Sequence, residues 1–177
     1  VKKGGIAFGA HPDTAYEVTS RVKSLTALPV IVKLTPNVGN IAEIAESVEA
    51  AGADAVSLIN TLTGMSVDVE QRVPHLKNIT GGLSGPAIKP IALRMVWEVV
   101  NRVSIPVIGV GGIMEANDAI EFLIVGARAV QIGTANFVNP RATLDILEGI
   151  ENYMLRHQMT GINELIGTLR NGRAAEK

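Results

Sequence analysis

The sequence has no cysteine in its 177 residues. That excludes a disulfide framework, an iron–sulfur cluster bound by this chain alone, and any cysteine nucleophile or base within it. It also lacks a dominant charge, since 16 Lys+Arg stand against 17 Asp+Glu for a formal net charge of -1. No basic field is available to hold a phosphate backbone, so nucleic acid is not an expected partner, and an acidic ligand has to be met by local charge. Long apolar runs are missing as well: charges or glycines interrupt each one well short of the roughly 20 residues a membrane helix needs. With no signal-peptide pattern at its start, the chain reads as cytoplasmic and not membrane-bound. His11, His75 and His157 are scattered without ligand spacing, and no metal site is expected. Finally, there is no initiator Met. Val1-Lys2-Lys3-Gly4-Gly5 reads as a loop, and the chain as a piece of something longer.

What is present is apolar enough to bury a core, with 47% hydrophobic residues. Ala15, Val18, Val22 and Leu25 form a helical stripe over residues 13–28, behind Pro12, which suits a first turn. Residues 28–34 then give a β-branched run with its proline at the edge, the pattern of a strand buried on both faces. Asn40 with Glu43 three residues on resembles a capping box, and Ile41, Ile44, Ala45 and Val48 continue it as a helix to Gly52. A second strand over 53–59 leads into a long stretch containing Gly and Thr up to about Gly85, followed by a helix over 88–100. Residues 106–110 form a third strand, 116–125 a short helix, and 129–132 a fourth strand. Asn139-Pro140 then opens a helix towards His157, and the tail from Asn171 frays.

Strand and helix alternate with connections too long for hairpins, which predicts parallel strands with crossover helices. Leu28-Pro29-Val30-Ile31 is echoed by Ile105-Pro106-Val107-Ile108, and 51–56 by 125–130, so the chain is two similar quarters in tandem. Four βα units are half of a (β/α)8 barrel, which takes about 250 residues. Both sheet edges are then open, and Val30, Val32, Val56 and Ile108 are expected as partly solvated barrel-interior residues.

In such a fold the chemistry lies at the carboxyl ends of the strands. Those ends carry Lys33, Asn60-Thr61, Gly111-Gly112 and Gly133-Thr134. Glycine-bearing loops after two consecutive strands suit a phosphate held by backbone N–H groups, with the Thr134 hydroxyl as an added donor. By spacing alone, Lys33 fits either an inward cation facing an anionic ligand or an end-of-strand lysine snorkelling to water. Asn60 fits either an amide ligand or a turn. Gly109-Val110-Gly111-Gly112 lacks the third glycine of a dinucleotide fingerprint.

Five strings in order resemble the dihydroorotate dehydrogenase family across nearly the whole chain: Val30-Ile31-Val32-Lys33-Leu34-Thr35-Pro36-Asn37, Ser57-Leu58-Ile59-Asn60-Thr61, residues 81–90, Gly109-Val110-Gly111-Gly112-Ile113 and Ile132-Gly133-Thr134-Ala135. Ile59-Asn60-Thr61-Leu62 and residues 83–90 resemble its NAD-linked class, 1B. The resemblance implies an FMN-binding (β/α)8 TIM barrel of which residues 1–177 are the C-terminal half, the N-terminal half being absent. It implies FMN at Lys33, Ile59, Gly85, Gly111, Gly112, Gly133 and Thr134, with the phosphate at the last four, and the pyrimidine at Asn60 and Thr61. The implied activity is oxidation of dihydroorotate to orotate in pyrimidine (UMP) biosynthesis. The base, a cysteine in a Ser-Cys-Pro-Asn loop, would lie just upstream of Val1, leaving these residues inactive alone. The implied partners are a second barrel in a homodimer and an electron-transfer subunit with FAD and a 2Fe-2S cluster, passing electrons to NAD. Two other readings fit the same strings: a related FMN-dependent dihydropyrimidine dehydrogenase acting on uracil or thymine, and a non-catalytic remnant that binds the FMN phosphate.

Overall fold

The structure, a computed structural model, describes residues 5–170. The opening loop up to Gly4 and the tail from Asn171 lie outside the described residues. Helix α1 (Pro12–Lys23) starts with its proline in the first turn and stops well before residue 28. The Thr26 hydroxyl accepts from the Leu28 N–H at 3.1 Å, closing a local turn, and Leu28 precedes a proline, a position that disfavours helix. Strand β1 (Ile31–Leu34) follows. Helix α2 (Ile41–Ala50) is capped by Asn40, whose Oδ1 accepts from the Glu43 N–H at 3.3 Å. Gly52, at φ 93°, turns the chain into β2 (Ala55–Leu58).

The long stretch after β2, to which the sequence reading assigned no element, forms two antiparallel ribbons. β3 (Leu62–Met65) pairs with β6 (Thr80–Leu83), and between them β4 (Val67–Asp68) pairs with β5 (Val73–Pro74). The chain continues through α3 (Lys89–Val100), β7 (Val107–Val110), α4 (Ala116–Ile124) and β8 (Ala129–Gln131). A short helix not expected from the sequence, α5 (Ala135–Val138), comes next. Asn139-Pro140 does not open the last helix. The Asn139 side chain instead accepts from the Arg141 N–H at 3.0 Å, and α6 (Ala142–Arg156) begins after that turn.

The main sheet has the order β1-β2-β7-β8, all parallel, so its strands are joined by crossovers as the alternation requires. The register sorts its residues into two faces. Val32, Leu34, Val56, Leu58, Val107 and Val130 pack towards the helices, into a core with Val48, Val96, Val99 and Phe122. Gly109 shares this face, and a Cβ there would lie 2.5 Å from the Phe122 ring. Ile31, Lys33, Ser57, Ile108, Ala129 and Gln131 alternate to the opposite face.

This corrects the expected interior set. Val32 and Val56 belong to the helix-facing side, Val56 is fully buried, Ile108 lies on the open face, and Val30 precedes the paired part of β1. The first strand is not buried on both faces either. It is an edge strand whose Ile31 is 52% exposed, because among the described residues no further strand or facing layer covers it. The stripe on α1 behaves likewise: Ala15 is buried, whereas Val18, Val22 and Leu25 are exposed. Phe137 and Val138, in α5 after β8, are exposed as well.

Candidate functional site

At the carboxyl ends of the four parallel strands lies a cavity of about 140 Å³. β1 contributes Lys33 to it, and the segment leaving β2 contributes Ile59, Asn60 and Thr61. Gly85 comes from the turn into α3, Gly111 and Gly112 from the loop after β7, and Gly133 and Thr134 from the loop after β8. All nine residues singled out in the sequence thus border one space. Its volume is below the roughly 300–1,000 Å³ of ordinary ligand pockets. Among the described residues, β1 and β8 are the two outer strands of the sheet whose ends line it.

Backbone hydrogen bonds hold this wall. The Ile59 N–H donates to the Val110 carbonyl at 2.7 Å, and the Asn60 N–H to Leu34 at 2.9 Å, which fixes the end of β2 between its neighbours. The Leu58–Ile59 peptide is cis. Asn37 ties the ribbon to the cavity rim: its Nδ2 donates to the Thr61 carbonyl at 3.0 Å and its Oδ1 accepts from the Thr63 N–H at 2.9 Å. Across the mouth, Thr134 Oγ1 donates to Ser84 Oγ at 2.9 Å.

The glycines divide into two kinds. A Cβ on Gly111 would lie 2.7 Å from the Ala92 Cβ, and one on Gly112, at φ 73°, would lie 2.7 Å from the Lys89 backbone nitrogen and 2.8 Å from the Gly85 carbonyl oxygen. At these two positions the protein itself packs against the glycine. Gly133 is the other kind, since a Cβ there meets nothing within 4 Å. Among the described residues, the backbone N–H groups of Gly112, Gly133 and Thr134 donate to no backbone carbonyl. They are available to an anionic oxygen. Lys33 faces the open side of the sheet and, among the described residues, enters no ion pair.

Several lining residues were not singled out by sequence: Ser84, Gln131 and Met114. Gln131 carried a usable signal, as the one polar side chain in the apolar run Ala129-Val130-Gln131-Ile132. Behind the cavity lies an ionic cluster that was also missed. Lys89 Nζ donates to Asp118 Oδ1 at 2.6 Å and reaches the Glu121 carboxylate at 3.0 Å. Asp118 is buried, and its Oδ2 accepts from the Met114 N–H at 2.8 Å and the Glu115 N–H at 3.1 Å. Burial would raise the Asp118 carboxyl, but the hydrogen bonds from Lys89, Met114 and Glu115 hold it below its ordinary value. The hydrogen bond to Asp118 raises Lys89 above its own. The three histidines stay apart: His11 precedes α1, His75 bonds Ser66 Oγ at 3.3 Å in the ribbon, and His157 stacks on Tyr153.

A family model described as dihydroorotate dehydrogenase matches residues 1–154. The catalytic subunit of dihydroorotate dehydrogenase B (NAD(+)) from Desulforamulus reducens is 62% identical over 167 residues, which cover 94% of this chain and 55% of that protein. The protein of the same name from Geotalea uraniireducens is 59% identical over 169 residues, covering 96% and 55%, and that from a Thermoanaerobacter species is 56% identical over 170, covering 96% and 56%. The chain spans about half the length of the curated relatives it matches.

Proposed function

Because the chain belongs to the dihydroorotate dehydrogenase family, we propose that residues 1–177 are the C-terminal half of a flavin-dependent (β/α)8 barrel that oxidises dihydroorotate to orotate in UMP biosynthesis. The observation that carries this reading is the convergence of nine residues, from five separated strings, around one cavity at the strand ends. The barrel reading draws support from the two strand edges that are unpaired among the described residues and from exposed apolar residues, Ile31 on the edge strand β1, Val18 and Val22 on α1, and Phe137 in α5 after β8. The rest of the barrel would cover both.

The wall suits FMN. N–H groups at Gly112, Gly133 and Thr134 are unengaged, a hydroxyl stands at Thr134, and Lys33 supplies a cation with no protein partner among the described residues. Such a flavin supplies the acceptor for the hydride leaving C6 of dihydroorotate. Gly111, Gly112, Gly133 and Thr134 would hold its phosphate, while Gly85 and Ile59 would shape the wall beside it. Lys33 places positive charge where negative charge develops during the reaction, which lowers the barrier by fixed electrostatics. Asn60 and Thr61 orient the pyrimidine, Asn60 with an exposed amide that both donates and accepts. The base that takes the C5 proton would be, as the family resemblance implies, a cysteine, and none occurs in these residues.

The relatives' names include NAD(+) and call them catalytic subunits. For this protein we infer a cytoplasmic homodimer of barrels that passes electrons to NAD through a separate subunit bearing FAD and a 2Fe-2S cluster. No helix among the described residues is long and apolar enough to cross a membrane. The test is to purify the complete protein, record its flavin absorption, and assay orotate formation with an artificial acceptor beside uracil and thymine turnover. Bound FMN and activity on dihydroorotate alone support the reading. A colourless protein that takes up no FMN would refute it, and preference for uracil or thymine would move it to the dihydropyrimidine dehydrogenases.

A further inference from the structure

We propose that Asp118 and Lys89, which do not line the cavity, act as a positioning pair that sets the spacing of its two glycine-bearing loops and thereby its affinity for a phosphate group. This rests on the flavin reading above and adds to it a pair of residues that touch no ligand.

The loops concerned are the turn into α3, which carries Gly85, and the segment after β7, which carries Gly111, Gly112 and Met114. They meet face to face: the space a Gly112 Cβ would need is taken by the Gly85 carbonyl and the Lys89 backbone nitrogen. Asp118 grips both. One carboxylate oxygen receives the Lys89 ammonium from the start of α3, and the other receives the Met114 and Glu115 N–H groups from the end of the β7 loop. The Glu115 bond is what a capping residue in the first turn of α4 ordinarily makes. The bond to Lys89 is not required for capping. It joins two helices through residues 29 positions apart in the chain. Glu121, one turn further along α4, takes a second proton of the same ammonium at 3.0 Å.

Both partners are thus charged, largely shielded from water, and held by hydrogen bonds of the stronger, charge-assisted kind. With the pair intact, the distance between the Gly85 and Gly112 segments is set before any ligand arrives. Without it, each loop keeps its own turn but loses its reference to the other, and the N–H group of Gly112 is no longer aimed with Gly133 and Thr134 at a common point. A phosphate, which needs several donors converging on it, is more sensitive to that loss than a flat ring lying against the wall.

The experiment uses the complete protein, stripped of flavin, and titrates it with FMN and with riboflavin, which lacks the phosphate. Lys89→Met, Lys89→Arg and Asp118→Asn are compared with wild type, and unfolding midpoints are recorded for each. Wild type should bind FMN more tightly than riboflavin. Lys89→Met and Asp118→Asn should shrink that preference roughly tenfold, the scale of one charge-assisted hydrogen bond, with riboflavin affinity kept. Lys89→Arg should restore most of it. If Lys89→Met does not fold, the same ratio in Asp118→Asn decides. An unchanged ratio overturns the positioning role while leaving the flavin reading intact. A parallel loss of both ligands together with stability shows the pair to be structural only, and overturns it too. Wild type that binds neither ligand overturns the flavin reading and this inference with it.

Discussion

Replacing Gly112 by alanine should destabilise the protein in the absence of any ligand, whereas replacing Gly133 should not. The backbone at Gly112 has φ 73°, a left-handed conformation, and an added Cβ would sit 2.7 Å from one backbone atom and 2.8 Å from another. The conformation costs a residue with a side chain about 1–2 kcal/mol. The contact is with backbone held by the start of α3, so relief needs a shift of the loop, at a further ~1–3 kcal/mol typical of overpacking. The sum, roughly 2–5 kcal/mol, corresponds to a urea midpoint lowered by about 1 M or more. Gly133 has no atom within 4 Å of the Cβ position and lies on the cavity wall. Gly133→Val should therefore leave ligand-free stability within about 0.5 kcal/mol of wild type and act on FMN affinity instead. The assay is urea unfolding of both variants of the complete protein without flavin, followed by FMN titration. Gly112→Ala with wild-type ligand-free stability would refute the packing account and return that glycine to the ligand.

Lys33→Ala should slow the half-reaction with dihydroorotate while leaving stability nearly unchanged, because the side chain is exposed and makes no ion pair among the described residues. A normal stopped-flow rate would reduce Lys33 to a solvated strand end. The Asp118–Lys89 pair should shape stability at both ends of the pH scale. A carboxyl held below its ordinary value stabilises the fold above about pH 4 and loses that contribution as pH falls further, and an ammonium held above its own does so below about pH 10 and loses it as pH rises. Asp118→Asn should accordingly flatten the acid limb of a plot of urea midpoint against pH, and an unchanged limb would contradict the assignment. Residues 1–177 expressed alone should form no orotate with an artificial acceptor, because a positioned base contributes about 10²–10⁴-fold and the cysteine that would serve is absent. Turnover near that of a complete enzyme would mean that a base lies within these residues.

The βα alternation, the Asn40 cap and the strand-end positions of the site residues were all legible, because each rests on local pattern. The two faces of the sheet were not. In β2 all four residues, Ala55, Val56, Ser57 and Leu58, are buried, so exposure does not separate its faces and the small Ser57 is its one polar marker. Placing Val56 inside the barrel was a one-residue error of that origin, and Val32, paired with it in register, went with it. The ribbons of residues 62–83 escaped notice because Leu62 pairs with Leu83 across the full length of the excursion, and the short, glycine-containing segments hold no periodicity of their own. The Lys89–Asp118 pair is invisible for a related reason. Neither residue is unusual in its own helix, and only the packing of α3 beside α4 brings them together.

That excursion bears on how the chain reaches its fold. β2 and β7 lie side by side, yet Leu58 is paired with Gly109, half a hundred positions further on. The entropy of closing a loop rises only logarithmically, by about 0.6 kcal/mol for each doubling of its length. The ribbon reduces even this, since β3 and β6 bring residues 62 and 83 together before the sheet has to close. Its tip is therefore nearly free to lengthen or shorten as far as folding is concerned. The limit on such variation is local: Asn37 must still find Thr61 and Thr63, or the rim of the cavity comes loose from the strand that carries Lys33.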